Sequence, residues 1–449
     1  MMQVLIRNAR IVNEGSVFKG CVVLKDQRIA RIFRGKNALQ EAAGFCETRD
    51  MDIDAEGKIL IPGIIDDQVH FREPGQPGKG NMSQESRAAL LGGVTSVMDM
   101  PNNNPAITTV KALEEKYRLG AEKMYVNYAF YMGSTNTNAG EVLHLPPDKG
   151  CGLKIFMGSS TGNMLVNDPA TLDTFFQQYK GVIATHCEDE AIIKENTQKA
   201  RSGYGDDIPV ILHSKIRSRE ACIASAQKAL DLALRYRSRL HILHVSTKEE
   251  VELIRKSRRI HPGITCEASL PHIWFTQADY LRYGMQIKCN PSIKTAEDRE
   301  AILKAIESRD IQAIGSDHAP HTWEEKQHNY INAPSGIPLI QHSCQMLMEC
   351  VKHESIGLTS MVDACSHAPA RIFGISDRGF IREGYYADLV LIDPEKEYVV
   401  TKSQLEYTCR WSPLEGHIFS SSISHVFVNG ILAAENGQII QKPSTLPIL

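Results

Sequence analysis

Between residues 59 and 317, short apolar runs alternate with amphipathic stretches, and this alternation restricts the fold more than any other feature of the chain. The runs are Ile59 to His70, Thr95 to Met100, Tyr125 to Met132, Gly152 to Met157, Gly181 to His186, Leu240 to Val245, Ile264 to Ala268 and Ile311 to Asp317, which makes eight. Helical spacing is clear between several of them, as in Arg219 to Tyr236 and Thr247 to Ser257. The repeated βαβα order implies a parallel sheet. Eight units predict an α/β fold of the closed (β/α)8, TIM-barrel type, with its active site at the carboxyl ends of the strands. A doubly wound open sheet is the alternative, but no Gly-x-Gly-x-x-Gly follows the first run.

The two ends of the chain have a different texture. Val4-Leu5-Ile6, Ala9 to Val12, Cys21 to Leu24 and Ile29 to Ile32 are strand-like runs joined by turns, and Ala387 to Ile392 and His425 to Gly430 repeat the pattern. They predict one small β-sandwich domain assembled from both termini, with residues 1–58 and 385–449 flanking a barrel over 59–384. A chain of 449 residues has room for both domains. Its hydrophobic share of 42% and charged share of 23% are those of a soluble globular protein, and a formal charge of −3 leaves no basic footprint for nucleic acid. Eleven cysteines, without a Cys-x-x-Cys pair, argue against a disulfide framework and for a reducing compartment. With no signal-type or membrane-spanning apolar run, a cytoplasmic protein is expected.

The first run ends in Asp66-Asp67-Gln68-Val69-His70-Phe71-Arg72-Glu73-Pro74-Gly75, where ligand-type side chains replace apolar ones. Alternate strand residues share a face, so Gln68 and His70 point together. A lone histidine there is more often a buried one satisfied by a carbonyl. Here the fourth run carries Lys154, the fifth ends in His186, the sixth in His244, and the eighth in Asp317-His318-Ala319-Pro320-His321. These nitrogen and oxygen donors converge on one face of a barrel. Lys154 lies in the apolar run Leu153 to Met157, so its amine is paired, deprotonated or chemically altered, unless its head reaches water along an apolar stem. The set exceeds what one metal with an open position requires, which suits a two-metal hydrolase. Asp317 is the natural proton carrier, a purely structural ligand being the competing role. Arg72, Asn102, Asn103, Asn290 and His321 suit an anionic substrate, since a guanidinium and amides fork onto a carboxylate.

These motifs resemble the cyclic amidohydrolases of the metal-dependent amidohydrolase superfamily, most closely the dihydroorotase family. The resemblance runs from Pro62-Gly63-Ile64-Ile65-Asp66 through His70 to Gly75, Gly92-Gly93-Val94-Thr95, Met100-Pro101-Asn102, Thr185 to Asp189, His244-Val245-Ser246-Thr247 and Ser316 to His321, to Ala387-Asp388-Leu389-Val390. It implies zinc, one or two ions per subunit, with His70, Lys154, His186, His244 and Asp317 as ligands and Lys154 carboxylated. Arg72, Asn102, Asn290 and His321 then contact dihydroorotate, and Asp317 is the acid/base of reversible ring-amide hydrolysis to carbamoyl aspartate, in pyrimidine synthesis. A homodimer acting on a small molecule, without nucleic acid or membrane, is the implied assembly.

Three departures stand out. Gln68 replaces the first histidine of the family's His-x-His, and an amide oxygen is a weaker zinc ligand than imidazole. Ser292 and Lys294 differ from the family's Asn-Pro-Pro segment, and Leu339 and Gln341 fall where Gly and Glu are usual. A hydantoinase or allantoinase is the nearest alternative, and a catalytically silent homologue acting as a structural or regulatory partner is the alternative of another class. Asn102 after Met-Pro and His321 after Asp-His-Ala-Pro favour dihydroorotate.

Overall fold

The computed structural model describes residues 2–146, 149–158 and 164–449. Its centre is a ring of parallel strands: β1 Ile64–Val69, β2 Val94–Asp99, β3 Asn127–Phe130, β4 Leu153–Phe156, β5 Val182–His186, β6 Arg239–Ile242, β7 Ile264–Ser269 and β8 Ala313–Gly315. One hydrogen-bonded ladder joins β1, β2 and β3, and another runs from Met132–Gly133 through β4, β5, β6 and β7 to β8. Met132–Gly133 continues β3 past a bend at Tyr131, so the two ladders share that position. The ring closes where the His70 N–H donates to the His318 carbonyl at 2.8 Å beside a parallel bridge from Val69 to His318. Valine, isoleucine, leucine and alanine dominate these strands because both faces are covered, by helices outside and by side chains across the ring within.

The first apolar run proves to be two elements. Ile59–Pro62 belongs to the terminal sheet, parallel to Gln3–Asn13 and antiparallel to Leu389–Asp393, and only after Gly63 does β1 begin. A Cβ on Gly63 would stand 2.0 Å from Thr95 Oγ1, so the crossing from sheet to barrel requires glycine. An unbroken apolar sequence conceals that change of sheet.

The terminal sheet has nine strands, in the order Gln438–Ile439, Ile431–Glu435, Ser422–Val428, Leu389–Asp393, Ile59–Pro62, Gln3–Asn13, Ser16–Lys25 and Arg28–Arg34, with Met51–Asp54 also pairing with Gln3–Asn13. Three of its two-residue hairpins carry positive φ at both positions, Glu14-Gly15, Asn429-Gly430 and Asn436-Gly437, which suits the right-handed twist of paired strands. Sheet and barrel meet at a buried polar network. Arg378 pairs with Asp388 and donates to Asn429 Oδ1 at 2.7 Å; the Asn429 N–H donates to Asp388 Oδ1 at 2.8 Å; Asn429 Nδ2 donates to Asn127 Oδ1 at 2.8 Å. The helices Arg219–Tyr236 and Lys248–Ile260 fill the predicted places, the second capped by Thr247, whose Oγ1 accepts from the Glu250 N–H. Among the described residues no helix is long and apolar enough to cross a membrane.

Candidate active site

Of the residues singled out as ligands or substrate contacts, all but Asn103 line one pocket of about 240 Å³ at the carboxyl ends of the strands: Gln68, His70, Arg72, Asn102, Lys154, His186, His244, Asn290, Asp317 and His321. Arg217, Phe156 and the segment Pro334–Gly336 complete its wall. Three of these residues have left-handed backbone conformations, Arg72 at φ 65°, His244 at φ 40° and Asp317 at φ 47°. Such conformations cost a non-glycine residue roughly 1 kcal/mol each and concentrate where side chains must be aimed.

Around β1 the hydrogen bonds fix both the protonation and the direction of the groups. His70 Nδ1 pairs with Asn102 Oδ1 at 2.7 Å, and its Nε2 stands 3.2 Å from Asp317 Oδ1. Gln68 Nε2 donates to the same Asp317 oxygen at 3.0 Å, while Gln68 Oε1 is buried without a partner. The reverse amide orientation would set oxygen against oxygen, so the carboxylate dictates it. Asn103 does not line the pocket. It accepts from Lys116 Nζ at 2.9 Å, and Lys116 pairs with Asp99 at 2.7 Å, both fully buried, while Asp99 Oδ1 also accepts from the Phe71 N–H. That cluster anchors the loop bearing Arg72 and Asn102.

The far side of the pocket is built on histidines. His186 Nε2 donates to Glu188 at 2.9 Å, which leaves Nδ1 as a lone pair 3.0 Å from His244 Nε2. Burial depresses the pKa of both rings. Burial alone would raise the Glu188 carboxyl, but Arg217 and His186 outweigh it and hold it at about 2. Glu188 and Arg217 were not foreseen as site residues. The carboxylate two positions past His186 was a readable signal, whereas nothing in the sequence marks Arg217. Lys154 is 1% exposed, and burial brings its amine down to about 7 against the pull of Asp317 and Glu267. Arg72 Nε donates to the Pro320 carbonyl and Nη2 to His321 Nε2, each at 3.0 Å, and among the described residues no hydrogen bond engages Nη1. His321 is pushed down to about 3 by burial and by Arg72, so it is neutral at physiological pH. Asn290 Oδ1 is buried and unpartnered. A Cβ on Gly336 would meet the Ala319 carbonyl at 2.3 Å, so glycine is what lets Pro334–Gly336 close over the pocket.

The departures sort by position. Ser292 Oγ donates to the Arg217 carbonyl and Lys294 Nζ to Ser292 Oγ, each at 2.8 Å, so they brace Arg217 from behind. Leu339 and Gln341 lie outside the pocket wall, Gln341 bonding to Gln404 and Glu406. His318, within the eighth-strand motif, is fully buried and pairs with Glu85 at 2.9 Å rather than facing the pocket.

Residues 59–432 match the Amidohydrolase family. The chain belongs to that family and is a hydrolase. Among its relatives, a dihydroorotase of Methanosarcina acetivorans is 32% identical over 431 residues, covering 93% of this chain and 89% of that one. A dihydroorotase of Thermococcus kodakarensis is 30% identical over 98% of this chain and 97% of its own. Among solved structures, the L-hydantoinase (dihydropyrimidinase) of Arthrobacter aurescens superposes with a TM-score of 0.92 at 26% identity over 99% of both chains. The amidohydrolase pocket described here fits a divalent metal by its donor chemistry. His186 Nδ1 and His244 Nε2 share a hydrogen bond at 3.0 Å while His244 Nδ1 has no partner among the described residues, beside a buried orphan amide oxygen and an amine whose charge is easily lost.

Proposed function

We propose that this amidohydrolase is a dihydroorotase, with His70, Lys154, His186, His244 and Asp317 as the residues that hold zinc and Gln68 Oε1 as a weak additional donor. A metal bound there supplies Lewis-acid polarisation of the ring carbonyl and a water of lowered pKa. The chain's own groups do the rest. Asp317, hydrogen-bonded by Gln68 Nε2, takes a proton from the attacking water and returns it to the leaving ring nitrogen. Asn102 and Glu188 keep His70 and His186 in the tautomers that present a lone pair to the pocket. A near-neutral Lys154 amine is the form that can be carboxylated.

The observation that carries the reading is Arg72. Its guanidinium is buried at the pocket wall with Nη1 unpartnered among the described residues, which suits a carboxylate on the substrate ring. Dihydroorotate has that carboxylate, and unsubstituted hydantoin does not. The hydantoinase reading keeps the support of the structural likeness at TM-score 0.92. The test is hydrolysis of dihydroorotate and cyclisation of carbamoyl aspartate by the purified protein, beside hydantoin and allantoin, with metal content measured on the same sample. Asp317→Asn is expected to lower turnover of dihydroorotate about 10²–10⁴-fold. Turnover of hydantoin or allantoin in place of dihydroorotate would overturn the assignment, and no turnover of any of them would favour the silent homologue.

A further inference from the structure

Directly below the pocket, inside the ring of strands, Asp67 of β1, His241 of β6 and Glu267 of β7 bring one ligand-type atom each to within 4.8 Å of one another. None of the three has any exposed surface. Both Asp67 carboxylate oxygens, Glu267 Oε2 and His241 Nε2 lack a hydrogen-bond partner. His241 Nε2 stands 3.1 Å from Asp67 Oδ2, close but without hydrogen-bond geometry. The other His241 nitrogen is engaged by Thr265 Oγ1 at 2.8 Å. The nearby hydroxyl of Tyr131 donates to the main-chain oxygen of Asp67 and not to its carboxylate. Among the described residues no lysine or arginine forms an ion pair with Asp67 or Glu267.

Two carboxylates buried this way, with the His244 N–H at 3.3 Å from Glu267 Oε1 as their one hydrogen-bond donor among the described residues, are among the most expensive groups a protein interior can hold. The separations run up to 4.8 Å, with His241 Nε2 and Asp67 Oδ2 nearest at 3.1 Å. They are those of ligands arranged about a common centre at bonds of roughly 2.0–2.4 Å. A histidine with one nitrogen fixed by a hydroxyl and the other turned inward has the form of a metal-bound imidazole. Two carboxylates and a neutral imidazole carry a charge that one divalent cation cancels.

We infer that Asp67, His241 and Glu267 form a second cation site, separate from the pocket, that takes a divalent ion of the zinc or manganese class. One imidazole with two carboxylates selects such borderline ions over calcium or a monovalent cation. The site does not depend on which cyclic amide the enzyme hydrolyses. It braces the catalytic floor from below, since Glu267 Oε1 accepts from the His244 N–H at 3.3 Å and Asp67 precedes Gln68 in the chain.

The experiment uses the full chain loaded with zinc alone and freed of excess by dialysis, with metal counted per chain and wild-type crystals measured at the zinc absorption edge. Asp67→Asn and Glu267→Gln are each expected to hold about one equivalent less than wild type, and His186→Ala to keep the interior ion. The anomalous map of the wild type should show a peak between the three residues, apart from any peak in the pocket. A map with density in the pocket and none below it would overturn the inference, however the variants fold. So would a Glu267→Gln protein that folds and binds as much zinc as the wild type.

Discussion

Two largely buried polar clusters of this molecule differ in whether they are complete. At the junction of sheet and barrel, Arg378, Asp388, Asn429 and Asn127 bond to one another, and none of their fully buried side-chain atoms lacks a partner among the described residues. In the pocket, Gln68 Oε1, His244 Nδ1, Glu188 Oε1 and Asn290 Oδ1 are orphaned, and two histidine nitrogens face each other. A satisfied network is a structural element that holds two sheets in register. An unsatisfied one, kept at the ends of eight strands with three residues in left-handed backbone conformations, has capacity reserved for something other than protein.

The comparison breaks first if removing a member costs the same in both clusters. Asp388→Ala leaves the Arg378 guanidinium buried and unpaired, and it is expected to lower unfolding free energy by about 3–5 kcal/mol in urea titrations. His244→Ala, measured in metal-free protein, removes one of two nitrogens that face each other at 3.0 Å and is expected to cost well below that. Equal losses would mean that the pocket histidines are part of the scaffold and not held in readiness.

The sequence exposed the two clusters unequally. Eight runs and their polar ends are visible because barrel strands are apolar along their length and change character where the site begins. His70, Lys154, His186, His244 and Asp317 could therefore be collected before their distances were known. The division at Gly63 was invisible, since Ile59–Pro62 and Ile64–Ile65 are equally apolar although they belong to different sheets. Asn103 and His318 illustrate a second limit. They sit within the motifs and look like site residues, yet they serve Lys116 and Glu85, and only three-dimensional pairing separates them from Asn102 and Asp317. Arg217 left no trace because it arrives on a loop before the helix Arg219–Tyr236, far in sequence from the Glu188 it pairs with.

The next test sharpens the comparison through pH. The pKa of Lys154 falls from its usual value near 10.5 to about 7 in the folded protein. Between these values the unfolded chain binds the extra proton, so stability must rise as pH increases through that window. In chelated, metal-free protein, wild type is expected to gain about 2 kcal/mol relative to Lys154→Met between about pH 7 and pH 9. Parallel stability curves for the two proteins would show that the amine is solvated or paired in solution. Asp388→Ala keeps Lys154, so its stability is expected to follow the wild-type slope across the same window.

The smallest effect comes from two neighbours in one loop. Asn102 touches the pocket through His70, and Asn103 touches the structural pair Lys116 and Asp99. Asn102→Ala frees the His70 ring to take its other tautomer, so zinc affinity is expected to drop about 10–100-fold, with turnover recovering once metal is saturating. Asn103→Ala removes an acceptor from a buried ammonium, so it should lower stability by about 1–3 kcal/mol and leave zinc affinity nearly unchanged. Zinc titrations and urea melts on both variants separate the cases. If Asn102→Ala instead raises KM for dihydroorotate at unchanged zinc affinity, the amide is a direct substrate contact and His70 needs no help in holding its tautomer. That outcome would move Asn102 from the group that prepares the site to the group that reads the substrate, while Glu188, bonded to His186 Nε2, stays in the first group.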